Sequence, residues 1–265
     1  MSGEIHIPTL APETIFHIGN LAVTNTVINV WIAIIIFLIL GISIKRSVKL
    51  KPGKLQNACE FFLELILGYF DQVTGDHKKT IRFLPIVGAI FFFILLSNWL
   101  GLLPGTGSIH IGENMLLRPA NTDLNLTLVM ALISVIGSHL YAFATIGIFT
   151  HLGKFVQIKN VFKSFKKGPM AVLTAIIEFG VGLLEIISEI AKVISLSLRL
   201  FGNIFAGEVL ISVISALVVA IVPAPFMLLE LLVGVIQAAV FSMLTLVYLT
   251  VATSVPHGEE ESHQN

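Results

Sequence analysis

Between Pro169 and Val222 the chain has no polar stretch long enough to form a loop. As one α-helix at 1.5 Å per residue this run would be about 80 Å long, against about 30 Å of hydrocarbon in a bilayer. Splitting it into two short crossings at Gly202-Asn203 would set Arg199 and Glu208 at the joint, with no basic loop on either side. The run is therefore predicted as one long, strongly tilted or bent helix over 170–222. It turns at Pro223-Ala224-Pro225 and returns as a second tilted helix over 226–253. Within the first of these lies Ser195–Glu208, SLSLRLFGNIFAGE, which carries Arg199. A guanidinium has five donors, no acceptor and a pKa above about 12, so it cannot escape burial by shedding its proton. Its insertion at bilayer depth costs about 2.5–3.5 kcal/mol, and a chain that retains one there uses it.

Composition agrees. Of 265 residues, 55% are hydrophobic and 12% charged, with a mean hydropathy of +0.94. Soluble domains carry about 25% charged residues, so this is an integral membrane protein. A formal net charge of zero offers no attraction to nucleic acid. The single cysteine, Cys59, excludes an intramolecular disulfide and any cysteine-based metal cluster. No cofactor motif, metal set or catalytic constellation stands out. The N-terminal stretch holds Glu4 and Glu13 and no basic segment, unlike a signal or transit peptide. There is no internal repeat.

The whole of 1–265 reads as one all-α membrane domain. After a polar lead with His6 and His17, read as solvated or interfacial, the first span covers 23–44. Lys45, Arg46, Lys49, Lys51 and Lys54 follow it, which makes that end cytoplasmic and the N-terminus external. Over 55–73, Asn57, Glu60, Glu64 and Asp71 share a polar face, while Phe62, Leu65, Ile66 and Tyr69 lie away from it. That pattern describes an amphipathic helix on the inner surface. A spanning helical hairpin comes next, with 83–103 running outward, an external loop over 103–123 and 124–148 running inward. Five lysines (154, 159, 163, 166 and 167) mark the inner side again, and the tail after 253 is a solvated cytoplasmic end. His139, mid-span, is either a structural histidine bonded to a neighbouring helix or part of an ion path.

Along the long helix Glu178, Glu185, Glu189, Lys192, Arg199 and Asn203 fall on one arc about 80° wide at 100° per residue. Glu208 is rotated off that arc by more than about 100°. On the last helix Glu230, Gln237 and Tyr248 share a face. Glu185, Glu189 and Lys192 have the spacing of self-neutralising ion pairs, but the full set holds more acids than bases and reaches well into the membrane. It places carboxyl groups toward both sides and a permanent cation between them. Carboxyl groups taken out of water exchange protons near neutral pH, whereas a fixed cation interrupts a proton wire. Such a chain conducts only if a mobile carboxylate carries the proton past the arginine. Ser188, Ser195, Ser197, Gly202, Ala206 and Gly207 would let another helix approach closely. No carboxylate from an obvious partner span faces Arg199, which points to another subunit.

These segments resemble subunit a of the F-type ATP synthase. The resemblance is carried by SLSLRLFGNIFAGE, by LLEIISEIAKVIS before it and by VIQAAVFSMLTLVYL in the last helix, and extends to SNWLGLLPG and NTDLNLTL. It implies a stator subunit of the bacterial plasma (inner) membrane, partnered by a c-subunit ring, a b-subunit peripheral stalk and the remaining synthase subunits. Arg199 would face the essential carboxylate of the rotating ring. Glu208, Glu230, Asn203 and Gln237 would belong to the outer half-channel or its border with the arginine, and Glu185 and Ser188 to the inner one. It also implies that Arg199 approaches Gln237 and Glu208 approaches Glu230. Family members often carry histidine at one of the two outer acidic positions. Here both are glutamate, and such a pair would share a proton at some pH. The chain would not be catalytic itself, having no P-loop. A stand-alone secondary transporter is the alternative class, but the inverted repeats and paired broken helices it calls for are not visible. A receptor or assembly protein using the acidic seam for packing is a third.

Overall fold

The computed structural model describes residues 11–19, 21–49, 53–103, 110–111, 114–115, 117–148, 169–217 and 223–254. The polar lead does not stay unstructured. Strands β1 (Thr14–Ile18) and β2 (Leu21–Thr24) form an antiparallel hairpin that feeds α1 (Asn25–Ser47). Helix α2 (Lys54–Thr74) and helix α3 (His77–Leu102) meet at a two-residue joint. Gly75 closes α2 in the left-handed region at φ 67°, where a glycine carries no side-chain penalty. Asp76 then caps α3 by accepting from the Lys78 amide, which starts the helix well before the expected 83. Two short strands, β3 (His110–Ile111) and β4 (Asn114–Met115), pair inside the connecting loop, and a 3-10 turn spans Ala120–Thr122. Asp123 caps α4 (Leu124–Ile146). Last come α5 (Pro169–Leu217) and α6 (Pro223–Thr253).

Five of these helices are long and apolar enough to cross a membrane: α1, α3, α4, the 179–217 portion of α5, and α6. The all-α membrane architecture is therefore as expected. Helix α5 runs unbroken for 49 residues through Gly202-Asn203. Its end differs from the expectation. The Pro223-Ala224-Pro225 segment is not a turn but the first turn of α6, where a proline's fixed φ fits and its missing N–H costs nothing. The reversal falls between Leu217 and Pro223, and the connection itself lies outside the described residues.

Helix α6 is the hub, packed against α3, α4, α5 and α2. Phe83, Val87, Ile90, Phe91 and Ile94 from α3 meet Phe241, Leu246 and Leu249 from α6, with Leu196 and Leu200 from α5 on the same core. Polar side chains stitch this apolar interior where water cannot serve. Ser134 donates to Thr245 at 2.8 Å between α4 and α6, and the hydroxyls of Thr127 and Ser197 meet at 3.2 Å between α4 and α5. Helix α2 buries only a stripe including Ile66 and Phe70, leaving Phe61, Phe62, Leu65 and Tyr69 exposed. An amphipathic helix on a membrane surface presents such a face to lipid.

Candidate functional site

The two long helices set the register of the seam. Asn203 donates from Nδ2 to Gln237 Oε1 at 2.7 Å, and Lys192 Nζ stands 5.2 Å from the ring centre of Tyr248. Both pairs are centred on residue 220, midway between the ends of α5 and α6. The stagger that a turn at 223–225 would have required disappears, because α5 ends earlier than its hydropathy implied. Gln237 therefore bonds one turn outward from Arg199.

Helix α5 sorts its residues onto two sides. Ser188, Ser195, Arg199, Asn203 and Ala206 are exposed on one. Ser197 and Gly207 are buried on the other, Ser197 against α4 and Gly207 under α6. The small residues thus divide between close packing within the chain and an open face around Arg199. Among the described residues no carboxylate lies within ion-pair distance of Arg199. Toward the other end, Glu189 accepts from Lys192 at 2.7 Å and lies 3.4 Å from His139 Nε2 on α4. His139 is thus bonded to a neighbouring helix, and Glu189 and Lys192 do neutralise one another. Glu185 is half-buried and Ser188 exposed on the same stretch. The side chain of Glu178 lies outside the described residues, as do His6, the lysines at 154–167 and the C-terminal tail.

The end of the helix pair nearest the α5–α6 connection holds the feature that sequence reasoning passed over. Arg118 is 4% exposed and grips Glu208 side-on. Its Nε donates to Oε1 at 2.9 Å and Nη2 to Oε2 at 3.0 Å. The guanidinium also reaches the Ala11 carbonyl at 3.3 Å and lies 6.0 Å from the centre of the Phe205 ring. Its own carbonyl accepts from Asn29 on α1 at 2.7 Å. The loop that carries it is tied down residue by residue. Asn121 donates to Asn98 at 2.6 Å, Asn98 donates to the Gly234 carbonyl at 3.2 Å, and Thr26 donates to Asp123 at 3.1 Å. A signal was present: Arg118 is the one lysine or arginine between Arg82 and Lys154.

Glu208 and Glu230 are consequently in different surroundings. Glu230, on α6, packs directly over Gly207, where any Cβ would collide with its carboxyl group. Its Oε1 and the Gln237 Nε2 are buried with no hydrogen-bond partner among the described residues. Both residues line a cavity of about 420 Å³, together with Asn203, Ala206, Gly207 and Ile236. The rest of the lining, including Leu210 and Val233, is apolar, so Asn203, Glu230 and Gln237 are the groups that could hold water there. The resemblance implied that Glu208 approaches Glu230; it is Gly207 that Glu230 packs against, and the carboxylate of Glu208 takes Arg118 as its counterion. The described residues contain no cluster of three or more histidine, cysteine, aspartate or glutamate side chains able to hold a metal.

Comparison with known proteins identifies the family. The family model described as ATP synthase A chain matches residues 27–250. The chain is 32% identical to ATP synthase subunit a of Moorella thermoacetica over 239 residues, covering 90% of this chain and 94% of that one. It is 34% identical to ATP synthase subunit a of Gloeobacter violaceus over 235 residues, covering 88% and 86%. The match over residues 27–250, the relatives at 32–34% identity and the five helices long and apolar enough to cross a membrane agree: this chain belongs to the ATP synthase A chain family.

Proposed function

We propose that this chain, as one membrane domain, is the non-catalytic stator of the membrane sector, providing two proton half-channels separated by Arg199 and coupling proton flow to rotation of a c-subunit ring. Glu208, Glu230, Asn203 and Gln237 form or border the outer half-channel, and Glu185 and Ser188 the inner one. The chain sits in a bacterial plasma membrane with its N-terminus outside and its C-terminus in the cytoplasm, attached to a b-subunit stalk and the other subunits.

The observation that carries this reading is the exposure of Arg199 among small residues on α5, without a counter-charge among the described residues. A charge in the middle of a spanning helix costs about 2.5–3.5 kcal/mol or more unless it is paired, so its partner comes from outside the chain. Distance supports the same division of labour. Along α5, Glu208 stands about 13 Å outward of Arg199 and Glu185 about 21 Å inward, at 1.5 Å per residue. Groups that far apart cannot hand over a proton directly, so a carboxylate moving past Arg199 has to carry it. The arginine stabilises that carboxylate while it is charged and bars a protonated one from slipping between the half-channels.

Arg199→Lys should abolish coupled synthesis, since an ammonium is compact, has a shorter reach and gives up its proton on burial. Arg199→Ala should do so too while opening a passive leak, read as proton uptake into vesicles stripped of the catalytic head under an imposed potassium diffusion potential. The driving force is about 2.3 kcal/mol per proton for each 100 mV, so a slow leak is measurable. An assembled Arg199→Ala complex that makes ATP normally would overturn the mechanism.

A further inference from the structure

We propose that the two outer glutamates do different work: Glu230 alone passes protons, whereas Glu208 is a fixed anion locked to Arg118, and this pair positions the outer wall of the path. The inference rests on the half-channel reading above and deepens it. Both oxygens of Glu208 accept from one guanidinium, through contacts of 2.9, 3.0 and 3.2 Å. A side-on, charge-assisted pair of this kind is among the stronger polar contacts a protein makes, and arginine cannot neutralise itself to release it. The guanidinium has further contacts, with the Ala11 carbonyl and the Phe205 ring, and Asn29 on α1 anchors the Arg118 backbone through its carbonyl. A relay group has to alternate between proton-loaded and empty states, and Glu208 could do so only by breaking these bonds and leaving a buried cation without its anion.

Glu230 has the opposite environment. Its Oε1 is buried with no hydrogen-bond partner among the described residues, and the residue lines the cavity shared with Asn203 and Gln237. Glu208 does not line that cavity. Gly207 presents bare backbone to the Glu230 carboxyl, leaving it room beside the exposed face that carries Arg199. Replacement of a family histidine by glutamate at one of the two places thus does not create a pair that shares a proton, because Arg118 has already claimed one of its members.

The test is a double-mutant cycle on the complete complex, read as ATP-driven proton pumping by inverted vesicles. Arg118→Gln and Glu208→Gln should each lower pumping by about tenfold or more, because each strands a buried charge. The double variant Arg118→Gln/Glu208→Gln, which removes both charges, should recover most of that loss, to within about fivefold of the wild type. A double variant as inactive as Glu208→Gln, in a complex that assembles, overturns the proposal by making Glu208 a relay. Glu230→Gln separates this from the parent reading: unchanged pumping there removes the outer path itself. If a variant does not assemble, the unmodified complex decides. A neutral carbodiimide attacks carboxyl groups that are not held as ion pairs, so peptide mapping should find Glu230 modified at least about tenfold faster than Glu208, both of whose oxygens are occupied by Arg118. This is the reverse of their exposures, which are 14% for the Glu208 side chain and 8% for Glu230. Equal or faster labelling of Glu208 refutes the assignment.

Discussion

The Asn203 amide on α5 meets the Gln237 carbonyl oxygen on α6 at 2.7 Å, one helical turn from Arg199. This bond fixes the rotation of both helices. It turns Arg199 outward with Ser195 and Ala206, and brings Glu230 over Gly207 on the other side. The open face and the cavity are therefore set by a single helix register.

That register can be read chemically. With Cys59 replaced by serine, the pair Asn203→Cys and Gln237→Cys should cross-link efficiently in membranes under mild oxidation or with a short bis-maleimide. Lys192→Cys with Tyr248→Cys should do so as well. Asn203→Cys with Thr245→Cys, the pairing that a turn at Ala224 would produce, should not. Preferential formation of that last cross-link would show that the two helices are staggered.

Gly207 is the most sensitive position beside the cavity. A methyl group there would occupy the space of the Glu230 carboxyl, and overpacking a filled site costs about 1–3 kcal/mol. Gly207→Ala should assemble yet pump protons about tenfold more slowly, a loss in keeping with that cost. Adding Glu230→Asp, one methylene shorter, should restore part of the rate. Wild-type pumping by Gly207→Ala would mean that the position of Glu230 does not matter.

The joint between α2 and α3 supplies a pH dependence. The Thr80 hydroxyl, and then the His77 ring 2.8 Å away, hold the Asp71 carboxyl below its ordinary range. A carboxyl lowered in the folded state contributes stability above its unfolded value, and that contribution is lost as pH falls through the folded value. Protection factors at the α2–α3 joint, taken against intrinsic amide exchange at each pH, should fall on acidification over that interval. The pH dependence should vanish in Asp71→Asn. Equal pH profiles for the two proteins would exclude Asp71 as the source.

Orientation can be tested on the same Cys59→Ser background. Single cysteines at Ser47, Gly107 and Ser164 should divide into two groups when probed with a membrane-impermeant thiol reagent. The positive-inside bias of the short loops predicts Ser47 and Ser164 in the cytoplasm and Gly107 outside. Labelling of Gly107 from the same side as Ser47 would refute the crossing scheme.

The spans and Arg199 within one of them were legible in the sequence because both are local properties. A run of apolar residues long enough to cross hydrocarbon announces itself, and helical periodicity puts Glu185, Glu189, Lys192, Arg199 and Asn203 on one arc without reference to any neighbour. Hydropathy could not place the end of α5, because residues up to Val222 are as apolar as those before them and a proline that can start a helix also resembles a turn. Tertiary structure alone decided which carboxylate meets which cation. Arg118 and Glu208 are separated by 90 residues; Asn98 and Gly234, by 136. Such pairings depend on how helices are rotated and packed in three dimensions, and no spacing along the chain encodes them. Two glutamates that look alike in the sequence therefore differ: one is tied to a buried guanidinium, the other opens onto a cavity beside the arginine face.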